Sequence, residues 1–165
     1  ARVHPAFVPA THPLASVGGS FNAVYLHGDM VDDLMFYGRG AGALPTGSAI
    51  VSDIVYAAKA SAPVYTDFVN DGNVAEGIDI TGDFSSKYYL AVSVKDVPGV
   101  LAAVTGVFAR HSVSIASVSQ RSSGSGAAIV FLTHTAYESD IKAAVEDIEE
   151  LDDTNKVESL IRVLA

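Results

Sequence analysis

Apolar and polar positions alternate clearly in the second half of the chain. Tyr88, Leu90, Val92 and Val94 alternate with Tyr89, Ala91, Ser93 and Lys95, the period of a half-buried strand. Pro98 follows where a helix would begin, a place its missing N–H does no harm. Leu101, Val104 and Phe108 then recur at helical spacing and put one stripe against a core. Val113 to Gln120 is β-branched and Ser-rich, a second strand. A loop over 121–126 with two Gly leads to the apolar strand Ala127 to Thr133, which makes the pair a hairpin. Thr135 followed by Glu138 is a capping-box pattern. Behind it, Ile141, Val145, Ile148 and Leu151 form one helical stripe, and Val157, Ile161 and Val163 alternate with Glu158 and Arg162 as a last strand. The order β-α-β-β-α-β predicts an α+β, ferredoxin-like sandwich over residues 87–165.

The first part, residues 1–60, is less self-contained. Phe21 to His27 and Leu34 to Tyr37 read as strands joined through Gly28-Asp29. A Gly-rich loop then leads into a helix over Thr46 to Lys59, striped by Ile50, Ile54, Ala57 and Ala58. Two or three strands and one helix are too little to bury themselves, so this piece is expected to need partners. Residues 61–86 collect Pro, Gly, Asp, Asn and Ser, residues that favour turns, and read as the connection between the two parts.

Composition narrows the function classes. Ten Lys and Arg against nineteen Asp and Glu give a net charge of −9 over 165 residues, which argues against a nucleic-acid groove or an anionic-membrane surface. No run reaches the roughly 18 apolar residues of a membrane span, so a soluble protein is expected. Zero Cys leaves no disulfide, thiolate metal site or Cys nucleophile and fits a cytoplasmic location. The sequence opens at Ala1 without an apolar leader and reads as a piece of a longer protein.

Two segments carry candidate chemistry. Gly38-Arg39-Gly40-Ala41-Gly42-Ala43 matches G-x-G-x-x-G/A between a strand and a helix. Such a backbone can approach a dinucleotide beside a helix N-terminus. The helix runs into Pro63 with no second parallel strand, so a tight Gly turn is the competing reading. Asp96-Val97-Pro98-Gly99-Val100-Leu101 joins the first strand and helix of the second part. Its first-turn N–H groups suit a carboxylate, and the plain alternative is Asp96 as a helix cap. The five histidines, His4, His12, His27, His111 and His134, lack metal-ligand spacing and read as structural. The acidic run from Glu146 to Asp153 reads as a solvated helix face. No G-x-S-x-G elbow anchors a hydrolase triad.

With those residues in view, the chain resembles the C-terminal end of bacterial homoserine dehydrogenases, including an ACT regulatory domain. His12-Pro13-Leu14-Ala15, Phe21-Asn22-Ala23-Val24, Leu34 to Gly42, Pro45-Thr46 and Asp53 carry the first half of the resemblance. The V-P-G-V-L loop within β-α-β-β-α-β carries the second. The resemblance implies that residues 1–60 close a catalytic core, with substrate and dimerisation strands and a return helix to the cofactor domain. After the linker 61–86, an ACT domain over 87–165 follows. It implies reversible oxidation of L-homoserine to aspartate semialdehyde with NADP or NAD, in threonine and methionine biosynthesis. Gly42, with Gly40, Ala41 and Thr46, is the implied cofactor contact. Ala43 and Gly47 depart from the family, which commonly shows Gly and Ala there.

The catalytic residues of the family have no counterpart here and are expected upstream, so the chain alone is expected to be inactive and to hold no cofactor. Family resemblance also implies at least a dimer, with an amino-acid effector, threonine, bound where two ACT domains meet. Asp96, Val97, Gly99, Val100 and Leu101 of one subunit are then set against Ile115 to Ser117 of the other. The alternative is a non-catalytic, amino-acid-binding ACT module whose first part serves assembly.

Overall fold

A computed structural model describes residues 3–60, 82–123 and 126–164, with the side chain of Ser123 left aside. In chain order the elements are β1 (Ala6–Phe7), a 3-10 turn (Pro13–Ser16), β2 (Phe21–Gly28), β3 (Asp32–Arg39) and α1 (Ala43–Lys59). There follow β4 (Ser85–Lys95), α2 (Val100–Arg110), β5 (Ile115–Ser123), β6 (Gly126–Thr133), β7 (Ala136–Tyr137), α3 (Glu138–Glu149) and β8 (Thr154–Val163). The chain divides into two compact units, Ala1–Pro9 with Ile80–Ala165, and Ala10–Asp79. The expected connection over 61–86 lies outside the described residues as far as residue 81; Ser85 and Ser86 already belong to β4.

In the first unit, the β4-α2-β5-β6-α3-β8 succession forms a sheet in the order β8-β4-β6-β5, the ferredoxin-like arrangement. Tyr88, Leu90, Val92 and Val94 of β4 and Ala127, Ile129 and Phe131 of β6 are buried beneath the helices. Helix α2 buries Val100, Val104, Val107 and Phe108. Helix α3 buries Ile141, Ala144 and Ile148. Phe108 meets Phe131 edge-on at 5.1 Å, a favoured aromatic geometry.

Five features differ from the sequence expectation. Helix α2 starts at Val100 rather than at Pro98, because Gly99 takes a left-handed φ of 96° at its N-cap. Its stripe therefore runs through Val100 and Val107, with Leu101 half-buried beside it. Helix α3 starts at Glu138 with Tyr137 as N-cap and no cap from its own side chain, so Thr135 heads no capping box. Asp83 supplies the cap from upstream: its carboxylate accepts from the Ser139 N–H at 3.1 Å and the Ser139 hydroxyl at 2.8 Å. Those bonds hold the Asp83 carboxyl below its usual range.

The remaining differences concern strands. In β8, Ala91 pairs with Ser159 but Val92 pairs with Val157, so Glu158 is an extra residue, a β-bulge. Beyond the bulge the alternation inverts. Leu160 packs against the core and Arg162 reaches Glu138 on the helix side, where simple alternation placed Arg162 outward and Ile161 inward. Finally, β1 adds a parallel strand to the edge of the sheet, with Ala6 opposite Arg162 and Phe7 opposite Val163. The Leu164 N–H donates to the Phe7 carbonyl at 2.8 Å, and Phe7 meets Tyr89 edge-on at 5.0 Å.

The second unit is an antiparallel hairpin, β2 with β3, and helix α1. Among its described residues none is buried. Val24, Leu26, Phe36, Tyr37, Ile50 and Ile54 are all exposed, in line with the expectation that this piece cannot cover its own apolar faces.

Candidate functional site

The Gly-rich loop leaves β3 at Arg39. The Arg39 guanidinium lies over the Phe21 ring at 4.7 Å and donates to the Ser20 hydroxyl at 3.2 Å. Phe21 itself stacks on Tyr37 at 4.8 Å. The Gly40 N–H donates to the Ser20 carbonyl at 2.9 Å, and a Cβ on Gly40 would collide with the Asn22 side-chain amide. A side chain at Gly40 would therefore have to displace the exposed Asn22 amide. Gly42 has a φ of 126° and caps α1, a conformation that L side chains resist.

Helix α1 begins at Ala43, three residues before the expected Thr46. Pro45 then sits in the first turn, where it loses no hydrogen bond. The Thr46 N–H is already spent on the Gly42 carbonyl at 3.1 Å, so Thr46 can offer a cofactor its side chain only. Backbone at Gly40, Ala41 and Gly42 is exposed. A shallow cleft of about 260 Å³ borders Gly38 and Gly40, with Asn22, Phe36, Tyr37 and Arg39 along it. The residues present thus fit a dinucleotide through backbone approach rather than through a donor nest.

In the other unit, the loop between β4 and α2 is tied down at its start. The Lys95 ammonium donates to the Asp152 carbonyl at 2.7 Å and the Asp153 carboxylate at 3.1 Å. Asp96 caps nothing; its carboxylate accepts from the Ser122 hydroxyl at 3.1 Å. No side chain caps α2, which leaves the N–H groups of its first turn without a side-chain acceptor. Asp96, Val97 and Gly99 are exposed and Leu101 is half-buried, but Val100 is 4% exposed and its side chain belongs to the core. The Val100 N–H already donates to the Val97 carbonyl at 3.5 Å, so Val100 offers an effector little.

On β5, Ile115 pairs with Thr133 while Ser117 pairs with Leu132. Ala116 is the extra residue, so Ile115 faces the helices and Ser117 the opposite side of the sheet. The two cannot line one pocket from the same strand face. Neither bulge nor the Ser122 partner of Asp96 leaves a mark in hydropathy, because each depends on which strand lies alongside.

Residues 1–55 match the homoserine dehydrogenase family and residues 88–153 match the ACT domain family. The homoserine dehydrogenase of Mycobacterium tuberculosis is 40% identical over 99% of this chain, which spans 38% of that protein. The crystal structure of a homoserine dehydrogenase from Thiobacillus denitrificans superposes with a TM-score of 0.79 at 34% identity, over 99% of this chain and 38% of the other. A homoserine dehydrogenase of S. aureus gives 0.53 at 26% identity, over 96% of this chain and 36% of the other. The chain thus spans well under half the length of the relatives it matches, and is similar to a homoserine dehydrogenase segment over residues 1–55 and to an ACT domain over residues 88–153.

Proposed function

We propose that the chain is the C-terminal part of an NAD(P)-dependent homoserine dehydrogenase whose ACT domain binds an amino acid for feedback regulation. The observation that carries this is 40% identity over 99% of the chain, both units included, with the Gly-rich loop and the effector loop both on the surface. A bound nicotinamide would supply the hydride acceptor, NADP being the preferred form in this reading. The chain's own part is to bring the backbone of Gly40, Ala41 and Gly42 against it, with the Thr46 hydroxyl alongside. The unburied hairpin supplies the contact face of a homodimer, as substrate and dimerisation strands, and α1 returns to the cofactor domain.

The effector, threonine in this reading, sits between two ACT domains. Its carboxylate meets the uncapped first turn of α2 near Gly99 and Leu101, and its ammonium meets Asp96. Val97 and Leu101 line the side chain, with Ile115 or Ser117 of the second protomer. A small, mainly apolar pocket suits threonine better than lysine, whose ammonium would need a partner there. Two experiments test the reading. The full-length gene product should reduce NADP in the presence of homoserine and be inhibited by threonine, while the 165-residue chain shows no turnover above blank. Calorimetry of this chain should give heat with threonine that Gly99→Val abolishes. Turnover by the 165-residue chain, or no homoserine-dependent activity of the full product, would overturn the enzyme reading. No heat with threonine, isoleucine, methionine or lysine would leave the ACT domain as an assembly module.

A further inference from the structure

At the opposite end of β4 from the effector loop, the ACT unit holds a cavity of about 230 Å³, lined by Tyr88, Glu138, Lys142, Leu160 and Arg162. Seven residues of strand separate Tyr88 from Lys95, about 23 Å at 3.3 Å per residue, so the two places are distinct. The bulge at Glu158 creates this cavity's chemistry by turning Arg162 inward. One Glu138 oxygen accepts from Arg162 Nη2 at 2.6 Å and the other from Lys142 Nζ at 2.7 Å. The guanidinium also lies over the Phe84 ring at 5.1 Å.

Two features of this group are not explained by the fold. First, two cations, Arg162 and Lys142, converge on Glu138 at the edge of a partly open space. Second, among the described residues only three buried side-chain polar atoms lack a hydrogen-bond partner, and two of them, the Tyr88 hydroxyl and Arg162 Nε, belong to this lining. Tyr88 is 1% exposed, and its hydroxyl lies near the Arg162 guanidinium without hydrogen-bond geometry. Burial and the Glu138 charge push the phenol pKa up, so the hydroxyl remains a donor. Each such unmade bond is a desolvation cost that a ligand's acceptor would relieve. A single water needs only about 10–15 Å³ of such space, so the cavity is sized for a small molecule.

We propose that this cavity is a second ligand site of the ACT domain, taking a small monoanionic carboxylate. The carboxylate oxygens accept from Arg162 Nε and the Tyr88 hydroxyl after a small shift of the guanidinium, with the Lys142 ammonium alongside. The apolar remainder of the ligand lies on Leu160. The carboxylate is that of a free acid or of an amino acid, and the two sources separate by titration.

The test is an NMR titration of the 165-residue chain, following the Arg162 Nε–H resonance with acetate, threonine, inorganic phosphate, or sodium chloride at matched ionic strength. A saturable shift is expected with acetate and not with chloride. Saturation by threonine as well identifies an amino-acid site, and saturation by acetate alone a free-acid site. Tyr88→Phe and Lys142→Gln should each weaken the response at least tenfold, while Gly99→Val leaves it unchanged, which separates this site from the effector loop. Lys142 is an exposed helix residue, so its variant decides the matter if Tyr88→Phe does not fold. Overturning results are no saturable shift with acetate, equal shifts with chloride, phosphate saturating where acetate does not, or undiminished affinity in a folded variant.

Discussion

Replacing Arg162 with Met keeps an unbranched apolar stem and removes the guanidinium and its charge. Glu138 then remains 5% exposed with Lys142 as its cationic partner. Breaking a buried ion pair from one side costs about 3–5 kcal/mol. Here Lys142 still holds one carboxylate oxygen at 2.7 Å, and the Arg162 side chain is 22% exposed in the pair. The expected loss for the ACT unit is therefore about 2–3 kcal/mol at neutral pH. Urea unfolding followed by far-ultraviolet circular dichroism measures it, with Glu138→Gln and the double variant completing a cycle.

The pH dependence carries the sharper test. Burial pushes the Glu138 carboxyl up, but the bonds from Arg162 and Lys142 outweigh it and the net shift is downward. A carboxyl lowered on folding contributes stability that is present above its unfolded pKa of about 4.3 and is lost as pH falls through the lower folded value. In Arg162→Met that carboxyl has lost its main partner and protonates earlier. The penalty of the substitution should therefore shrink between pH 7 and pH 4. A penalty that is the same at both, or a double variant whose cost is the sum of the singles, would refute the claim that charge compensation holds this corner together.

Three further outcomes are expected. Gly99→Ala should cost about 0.5–1 kcal/mol, the left-handed penalty of about 1–2 kcal/mol less the entropy gained by leaving glycine. Thermal melting should show it as a drop of roughly 2–8 °C, and no drop would mean that the loop relaxes to negative φ. Phe131→Ala removes a fully buried ring that meets Phe108 edge-on and should cost about 3–5 kcal/mol, readable in the same urea assay; a loss under 1 kcal/mol would place the core elsewhere. The exposed Phe36 and Ile54 faces should drive self-association at micromolar concentration, which Phe36→Lys with Ile54→Lys reduces in sedimentation velocity; a monodisperse wild-type monomer would contradict this.

The sequence by itself determined the kinds of element and their order. Alternation in β4, the apolar run of β6 and the stripes of α2 and α3 are local patterns, written in neighbouring residues, and they suffice for the ferredoxin-like succession. The poverty of core in the hairpin and α1 was equally legible, since it follows from how few apolar faces oppose one another there. Facing within a strand was not legible past a bulge. Glu158 and Ala116 are surplus only relative to β4 and β6, and each shifts every later side chain to the other face. That is why Arg162 turned inward onto Glu138 and why Ile115 and Ser117 parted company. Helix starts were decided the same way: Asp83 caps α3 across 56 residues of sequence, and Gly99 rather than Pro98 opens α2 through a backbone angle that no residue pattern states. The parallel pairing of Ala6–Phe7 with β8 joins opposite ends of the chain, and only the closed fold brings those hydrogen-bonding edges within reach.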